Sequence, residues 1–243
     1  MSAWQEFLQS IQSRLAALKS ADCADPYFRG HASRNWMLEP GLARHCRDNP
    51  RFNPNKEARL YWAFRMRGSH LLPNGISEWT VLYYMQHFGI PTRLLDWTTS
   101  FATALYFAIR HKPESPCVWI LDPYSLNNQT QGVRSISNMN VSFKMDYIQF
   151  LNLASKPLGA LATDGDSSVE RIKSQGGCFT VHGDLSVPLD RTYPATVTCH
   201  ELPMAAVAEA RLFLELAGAN EYSIFPDLSG LAKDINSKEL GTS

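Results

Sequence analysis

Three short segments hold the side chains whose types and spacing suit chemistry. Arg29 lies in the first, a five-residue segment with strand character, on the opposite face from Phe28. A guanidinium group offers the paired N–H donors that recognise phosphate or carboxylate. The three segments together predict a site for a polar or anionic ligand. The second, residues 92–100, contains Thr92, Arg93, Asp96, Thr98, Thr99 and Ser100, and the third, residues 171–179, contains Gln175.

The second segment lies at a joint between predicted elements. A helix capped by Ser77 is expected to end near Phe88, with Gly89 closing it in a left-handed turn. Residues 92–97 then predict a short strand covered on both faces, and Thr99 or Ser100 caps a second helix. Ligands of α/β sheets bind where such a strand ends, and the N–H groups of a helix start can bind an anion.

A structural role for the same charges is the competing interpretation. Arg93 and Asp96 are three residues apart, so in an extended strand they point to opposite faces and do not pair directly. Each can instead belong to a buried structural network or to a separate salt bridge. The residues alone leave both interpretations open.

Composition excludes several classes of protein. The 243 residues are 44% hydrophobic with a net charge of zero, which indicates a folded globular protein and argues against nucleic-acid binding by bulk charge. The zero hides an asymmetry: residues 1–112 carry 14 basic and 8 acidic side chains, or +6, and the remainder carries −6. No apolar run has the length of a membrane span, and no secretory signal opens the chain, so a cytoplasmic location is expected. The five cysteines lack ligand spacing, so no metal site is expected.

The predicted organisation is one mixed α+β domain with short additions. Residues 1–24 are expected to form an amphipathic helix that docks on the core, and residues 25–235 the domain itself. The polar composition of residues 125–140 predicts a long loop. Pro203 is expected to open a late helix, and residues 236–243 to form a flexible tail.

Four blocks of sequence resemble the FRG domain, a family named for its Phe-Arg-Gly motif. The resemblance spans residues 25–235 and implies a bacterial or phage-associated domain. Its blocks are Tyr27-Phe28-Arg29-Gly30-His31 with Arg44 behind it, the central Gln86-His87-Phe88-Gly89-Ile90-Pro91-Thr92-Arg93-Leu94-Leu95-Asp96-Trp97-Thr98, the later Gln175-Gly176-Gly177-Cys178-Phe179, and Ile224-Phe225-Pro226-Asp227-Leu228.

A second resemblance, to the arginine-class ADP-ribosyltransferases, rests on fewer residues. The aromatic-Arg-Gly strand and the Ser/Thr-rich strand end before a helix are similar to that class, which implies a split antiparallel or mixed sheet flanked by helices. It further implies that Arg29, with Gly30, clamps the phosphates of NAD, the substrate. Nearby NAD contacts would come from Thr92, Arg93, Thr98, Thr99 and Ser100.

The glutamate that orients the ribose in that class has no obvious counterpart in this sequence. No Glu-x-Glu precedes residue 178; Gln175 lies near that place and Glu170 five residues earlier. A glutamine can bind a ribose hydroxyl but cannot act as a base. The carboxylate would therefore come from Glu170, Asp96 or Glu221.

The resemblances imply a toxin or phage-defence effector that transfers ADP-ribose from NAD to a macromolecule, protein or nucleic acid. They leave room for an antitoxin or chaperone partner and imply no membrane. The alternative is a non-enzymatic ligand- or partner-binding module, in which Arg29, Arg93 and Asp96 form a structural network. An Arg29 open to a cleft in a split sheet favours the enzyme; a buried, fully paired Arg29 favours the module.

Overall fold

A six-stranded antiparallel sheet forms the centre of the molecule. The computed structural model describes residues 1–49, 55–110, 112–139, 145–153, 159–165 and 170–241. The strand order is β4-β5-β2-β1-β3-β6, and every neighbouring pair is antiparallel. The strands are β1 (Tyr27–His31), β2 (Leu94–Thr98), β3 (Cys117–Leu121), β4 (Ala160–Asp164), β5 (Gly177–His182) and β6 (Val197–Glu201).

Helices cover both faces of this sheet, so the predicted α+β class is confirmed. A short 3-10 turn, Met204–Ala206, leads directly into the helix that begins at Val207. They are α1 (Ala3–Ser20), α2 (Gly41–Asp48), α3 (Asn55–Arg67), α4 (Glu78–His87), α5 (Phe101–Ile109), α6 (Pro123–Gln131), α7 (Tyr147–Asn152), α8 (Glu170–Ser174), α9 (Leu189–Thr192), α10 (Val207–Leu216), α11 (Glu221–Ile224) and α12 (Leu228–Leu240).

The sheet is almost divided between β1 and β2. These strands share one Cα pair, Phe28 with Thr98, whereas each of the other strand pairs shares five. Beyond that pair the backbones separate, so β4-β5-β2 and β1-β3-β6 behave as two three-stranded halves held by a narrow junction. This is the split that the sequence resemblance implied.

Three apolar clusters stabilise the two halves. One packs α3, α4 and α7 against β2, β4 and β5, with Trp79 and Phe150 fully buried in it. A second packs α1, α5 and α10 on β1 and β3, and includes Phe28. The third lies on the opposite face of the sheet and includes Trp97 and Trp119. Burial of these side chains on both faces provides the main driving force for folding.

Local sequence signals placed the helix ends correctly. The Ser77 hydroxyl accepts from the Thr80 N–H at the start of α4, and Gly89 has a left-handed φ of 79° after its end. The Ser100 hydroxyl accepts from the Thr103 N–H at the start of α5. These side chains satisfy backbone groups that have no partner within a helix.

Other expectations need correction. Residues 125–131 belong to α6 and not to a loop, because the Asp122 carboxylate caps the helix and Pro123 opens it. The expected tail is helical to Leu240, where Gly241 ends α12. The helix after Pro203 begins with the 3-10 turn.

Gly30 sets the distance between β1 and α5. A Cβ at this position would lie 1.8 Å from the Ala104 carbonyl oxygen and 2.6 Å from the Ala108 nitrogen. Both atoms belong to helix backbone, which cannot rotate away as a side chain can. Only glycine therefore allows α5 to pack this closely on the strand that carries Arg29.

We expect Gly30→Ala to lower the free energy of unfolding by more than about 3 kcal/mol, above the usual cost of overpacking, because backbone must move. Urea unfolding of the purified variant measures this. Gly41→Ala is the matched control, since the nearest atom to its added Cβ, the Pro91 Cα, lies at 3.8 Å. That change should be neutral or slightly stabilising. Equal stability of both variants would contradict the close packing described for Gly30.

Candidate active site

A cleft of about 710 Å³ opens where β1 and β2 separate. Residues of β1, α2, α4, β2 and α5 line it, together with the turn before β5. A cleft at a junction between two halves of a sheet is a common position for a ligand site. The charged and amide side chains in its wall are Arg29, Asn35, Glu39, Arg44, Arg47, Gln86, Asp96, Arg110 and Gln175.

The Arg29 guanidinium bridges the gap between the separated strands. Its Nη1 donates to the Asp96 backbone carbonyl at 2.6 Å, and its Nε donates to His31 Nε2 at 2.9 Å. The Asp96 carboxylate lies 3.8 Å from Nη1, and 20% of the Arg29 side chain is exposed. The remaining nitrogen, Nη2, has no protein partner within the described ranges. Arg29 is thus fixed in direction yet retains a donor for a ligand.

Positive charge accumulates around Arg29. Burial lowers the Arg29 pKa, and Arg44 lowers it further, while the Asp96 carboxylate acts in the opposite direction. Burial, with the charges of Arg29 and Arg44, lowers the His31 pKa to about 3, so the imidazole is neutral and accepts from Arg29. Arg44 is exposed in the cleft wall and forms no ion pair in the described part of the chain. An anion placed between the two arginines would relieve their repulsion.

The Asp96 carboxylate is positioned by a chain of hydrogen bonds. Gln86 Nε2 donates to Asp96 Oδ2 at 2.8 Å, and Gln86 Oε1 accepts from the Thr92 hydroxyl at 2.6 Å. Thr92 Oγ1 in turn accepts from the Leu94 N–H. The amide of Gln86 is therefore fixed in one orientation, and it holds a carboxylate that is 53% exposed.

Aromatic side chains complete the walls. Tyr83 and Phe179 contact each other with ring centroids 4.8 Å apart, and the Tyr83 hydroxyl donates to the Asp164 carbonyl. Trp36 is 56% exposed at the other end of the cleft, where its ring lies 5.9 Å from the His31 ring. The cleft thus combines flat apolar surfaces with a cationic centre.

Five of the predicted site residues line this cleft: Arg29, Gly30, Asp96, Thr98 and Gln175. The Thr98 hydroxyl is already engaged, because it donates to the Gln175 carbonyl at 2.5 Å and accepts from the Ser100 N–H. Gln175 Nε2 donates to the Ile224 carbonyl at 3.0 Å, which leaves its Oε1 as an acceptor. Thr98 therefore joins the β2 end to the turn before β5, and Gln175 remains a candidate for ligand contact.

Arg93, a predicted ligand contact, does not line the cleft but lies in a buried ion pair. Only 2% of its side chain is exposed, and its Nε and Nη2 form a two-pronged pair with the Glu57 carboxylate, with Nε to Oε1 at 2.7 Å. Nη1 donates to the His182 carbonyl. Burial lowers the Arg93 pKa, but the charge and hydrogen bonds of Glu57, together with Tyr147, outweigh it and raise the pKa. Arg93 is the structural member of the two candidate arginines.

Other predicted residues also lie outside the cleft wall. Thr92 is fully buried and acts through Gln86, as described above. Thr99 binds the Gly176 carbonyl through its N–H, and Ser100 caps α5. Of the candidate acids, Glu221 is committed to Arg110 at 2.6 Å and to the Tyr106 hydroxyl. Glu170 begins α8, but its side chain lies outside the described part.

Sequence reasoning assigned no role to His31, Arg44 or Gln86. The i, i+2 spacing of Arg29 and His31 in a strand was a usable signal, because it places both on one face. Arg44 and Gln86 reach the cleft from separate helices, and no local pattern indicates that. Among the described residues, no cluster of three or more His, Cys, Asp or Glu side chains is arranged to hold a metal ion.

A family model supplies the comparison that decides the classification. The model of the FRG domain matches residues 25–116. The matched segment is similar to the FRG domain and makes up less than half of the chain. No curated protein and no solved structure matches the chain.

The matched FRG segment runs from the start of β1 to just before β3. It provides Arg29, Arg44, Gln86 and Asp96, so the charged centre of the cleft lies in the segment that is similar to the FRG domain. Gln175 and Phe179 lie beyond the match and close the wall from β5 and the turn before it. None of the helices in the described ranges is long and apolar enough to cross a membrane.

We expect Arg93→Ala to destabilise the protein by about 3–5 kcal/mol, because it leaves the Glu57 carboxylate buried without its cation. Urea unfolding at neutral pH measures the loss. Lys238→Ala is the control, since it removes one partner of a solvent-exposed pair on α12 and should change little. A stable Arg93→Ala protein would show that Glu57 finds water or another donor.

The buried neutral His31 predicts a loss of stability in acid. Its folded pKa of about 3 lies below the unfolded value of about 6.5, so the unfolded chain binds the extra proton between these values. The contribution of neutral His31 to the free energy of unfolding is complete above pH 6.5 and decreases below that pH. At pH 5 it is lower by about 2 kcal/mol. The His31→Gln variant should lose less stability than the unmodified protein between pH 7.5 and 5, measured by urea unfolding. The exposed-site variant His70→Gln should follow the unmodified profile; identical profiles for all three would contradict the assignment.

Proposed function

We propose that this FRG domain binds NAD in the cleft and transfers ADP-ribose to a macromolecular acceptor. The observation that carries the proposal is Arg29, which is held by His31 and the Asp96 carbonyl, faces the cleft with a free terminal nitrogen, and lies beside the unpaired Arg44. It meets the condition that favours an enzyme over a structural network.

The pyrophosphate fits the cationic centre. A planar guanidinium offers charge-assisted hydrogen bonds to phosphate oxygens, and a second arginine nearby can share the two negative charges. Glu39 and Arg47 neutralise each other, and Arg110 is engaged by Glu221, so the cleft's excess positive charge is concentrated on Arg29 and Arg44. The ligand is therefore an anion with apolar parts on either side, as the aromatic walls require.

The exposed Asp96 carboxylate suits the reacting ribose. The bond between ribose C1′ and the nicotinamide nitrogen breaks, both electrons leave with neutral nicotinamide, and a ribosyl cation forms. Asp96 stabilises that positive charge and accepts the proton that the acceptor loses as its nucleophilic atom bonds to C1′. Asp96 thus supplies the carboxylate that a Glu-x-Glu motif, absent from this sequence, would otherwise provide.

Gln175 is proposed to orient the ribose. Its Nε2 is fixed on the Ile224 carbonyl, so its Oε1 has a defined direction and can accept from a ribose hydroxyl. Positioning of this kind contributes by holding C1′ near both Asp96 and the acceptor. The acceptor, protein or nucleic acid, and an antitoxin or chaperone partner remain predictions.

We expect Arg29→Lys to reduce NAD-dependent labelling of a cell lysate at least tenfold while the melting temperature changes little, because lysine keeps the charge but loses the planar fork. Asp96→Asn should reduce nicotinamide release by about 10²–10³-fold. Arg67→Lys, at an exposed position outside the cleft, is the control. Labelled NAD followed separately on protein and nucleic acid gives the readout.

Two results would overturn the proposal. A stable Arg29→Lys protein with full transfer activity would remove the phosphate contact. NAD that is neither bound nor consumed by the unmodified protein, with every acceptor tried, would move the assignment to a binding module without catalysis.

A further inference from the structure

A second cavity of about 340 Å³ lies beside the cleft. Asn35, Trp36 and Met37 line both cavities, so one short segment after β1 forms the wall between them. Trp119 of β3 and Asp190 of α9 lie on the far side of that wall. The two cavities are therefore adjacent, and a ligand longer than the cleft can pass over Trp36 into the second one.

Two residues that line this cavity carry buried polar atoms without partners. The Trp119 indole Nε1 and the Asp190 Oδ1 are inaccessible to solvent and form no hydrogen bond in the described part of the chain. Trp119 is only 9% exposed as a whole. A buried donor or acceptor without a partner costs about 1–3 kcal/mol, so such groups are uncommon and call for an explanation. One is a donor and the other an acceptor, and a single ligand edge can satisfy both.

The charges of the cavity disfavour an anion. Arg34 is paired with Glu201 at 2.7 Å, and the Asp190 carboxylate lies in the wall. Arg191 lies exposed at the rim. The cationic centre that attracts phosphate is in the first cleft, at Arg29 and Arg44. A neutral planar group with one donor and one acceptor fits the second cavity better than a phosphate does.

We propose that the second cavity binds the adenine base of the same NAD molecule. The inference rests on the proposed function. Asp190 Oδ1 accepts from the exocyclic amine, and the Trp119 indole donates to an adjacent ring nitrogen. The exposed face of Trp36 offers a stacking surface as the dinucleotide crosses the wall. The pyrophosphate then lies at Arg29 and Arg44, and the nicotinamide ribose at Asp96.

The direction of binding follows from the position of the carboxylate. Nicotinamide also presents a donor and an acceptor in its carboxamide, but its ribose carries the bond that breaks. That bond must lie next to Asp96, which is in the first cleft. Only the adenosine end is left for the second cavity.

Binding measurements on the full chain test this assignment. Calorimetry with NAD, with AMP and with nicotinamide mononucleotide, which lacks adenine, is compared for the unmodified protein, Trp119→Phe and Asp190→Asn. Trp119→Phe should weaken NAD and AMP binding by roughly tenfold, the effect of one buried hydrogen bond lost. Asp190→Asn should weaken both by less, because its amide oxygen can still accept from the amine, and both variants should leave mononucleotide binding unchanged. Trp62→Phe, an exposed tryptophan on α3, is the matched control.

A base analogue sharpens the test. The hypoxanthine dinucleotide replaces the exocyclic amine by a carbonyl and should bind the unmodified protein at least tenfold more weakly than NAD. Asp190→Asn should narrow that difference, because its amide can donate to the carbonyl.

The outcomes separate this inference from the proposed function. NAD and mononucleotide binding that is unaffected by both variants would overturn the adenine site while the NAD cleft stands. AMP binding that the variants weaken, with no mononucleotide binding and no turnover, would keep the adenine site and overturn the transferase. No binding of any of the three nucleotides would overturn both.

Discussion

The separation of β1 from β2 after the Phe28–Thr98 pair is the constraint on which the other features depend. Gly30 brings α5 against β1, and the Thr98 hydroxyl ties β2 to the turn before β5, so each strand is held by a different half of the molecule. A continuous ladder would have filled the gap with backbone hydrogen bonds. Instead the Arg29 guanidinium donates to the Asp96 carbonyl and satisfies an acceptor that the missing ladder leaves exposed. The same side chain thereby closes the fold and faces the ligand.

The two arginines of the FRG motifs show how environment separates structure from chemistry. Arg93 is buried among core residues, and it donates four hydrogen bonds, two to Glu57 and two to the backbone carbonyls of residues 182 and 183. The Tyr147 hydroxyl donates to the same Glu57, so this carboxylate is fully committed. Arg29 has one carbonyl, one imidazole and a carboxylate at 3.8 Å. A buried charge whose hydrogen-bonding groups are all paired holds one arrangement of the structure. A charge that is only partly paired keeps donors that a ligand can use.

The sequence predicted what local chemistry decides. Ser77, Gly89 and Ser100 mark helix ends through contacts within four residues, and the antiparallel split sheet followed from a family resemblance. The sequence did not predict contacts between residues that are far apart along the chain. The role of Arg93 depends on Glu57, 36 residues away, and that of Asp96 on Gln86 in another helix. Residues 125–131 were misread because their polar composition suggests a loop, while the capping by Asp122 and Pro123 that makes them helical lies just before them.

The second cavity follows from the same separation of strands. The segment after β1 leaves the sheet at His31 and places Trp36 over the rim, with Arg29 behind it and Trp119 of the neighbouring strand beyond. One strand and its continuation thus supply the cationic centre, the stacking surface and the boundary between cavities. The polar groups of the two cavities differ in the same way. Arginine donors in the first cleft suit a charged group, and the unpartnered atoms of Trp119 and Asp190 suit the neutral base that we propose for the second cavity. In the proposed complex, an extended dinucleotide contacts both sets at once, which neither a phosphate nor an isolated base does.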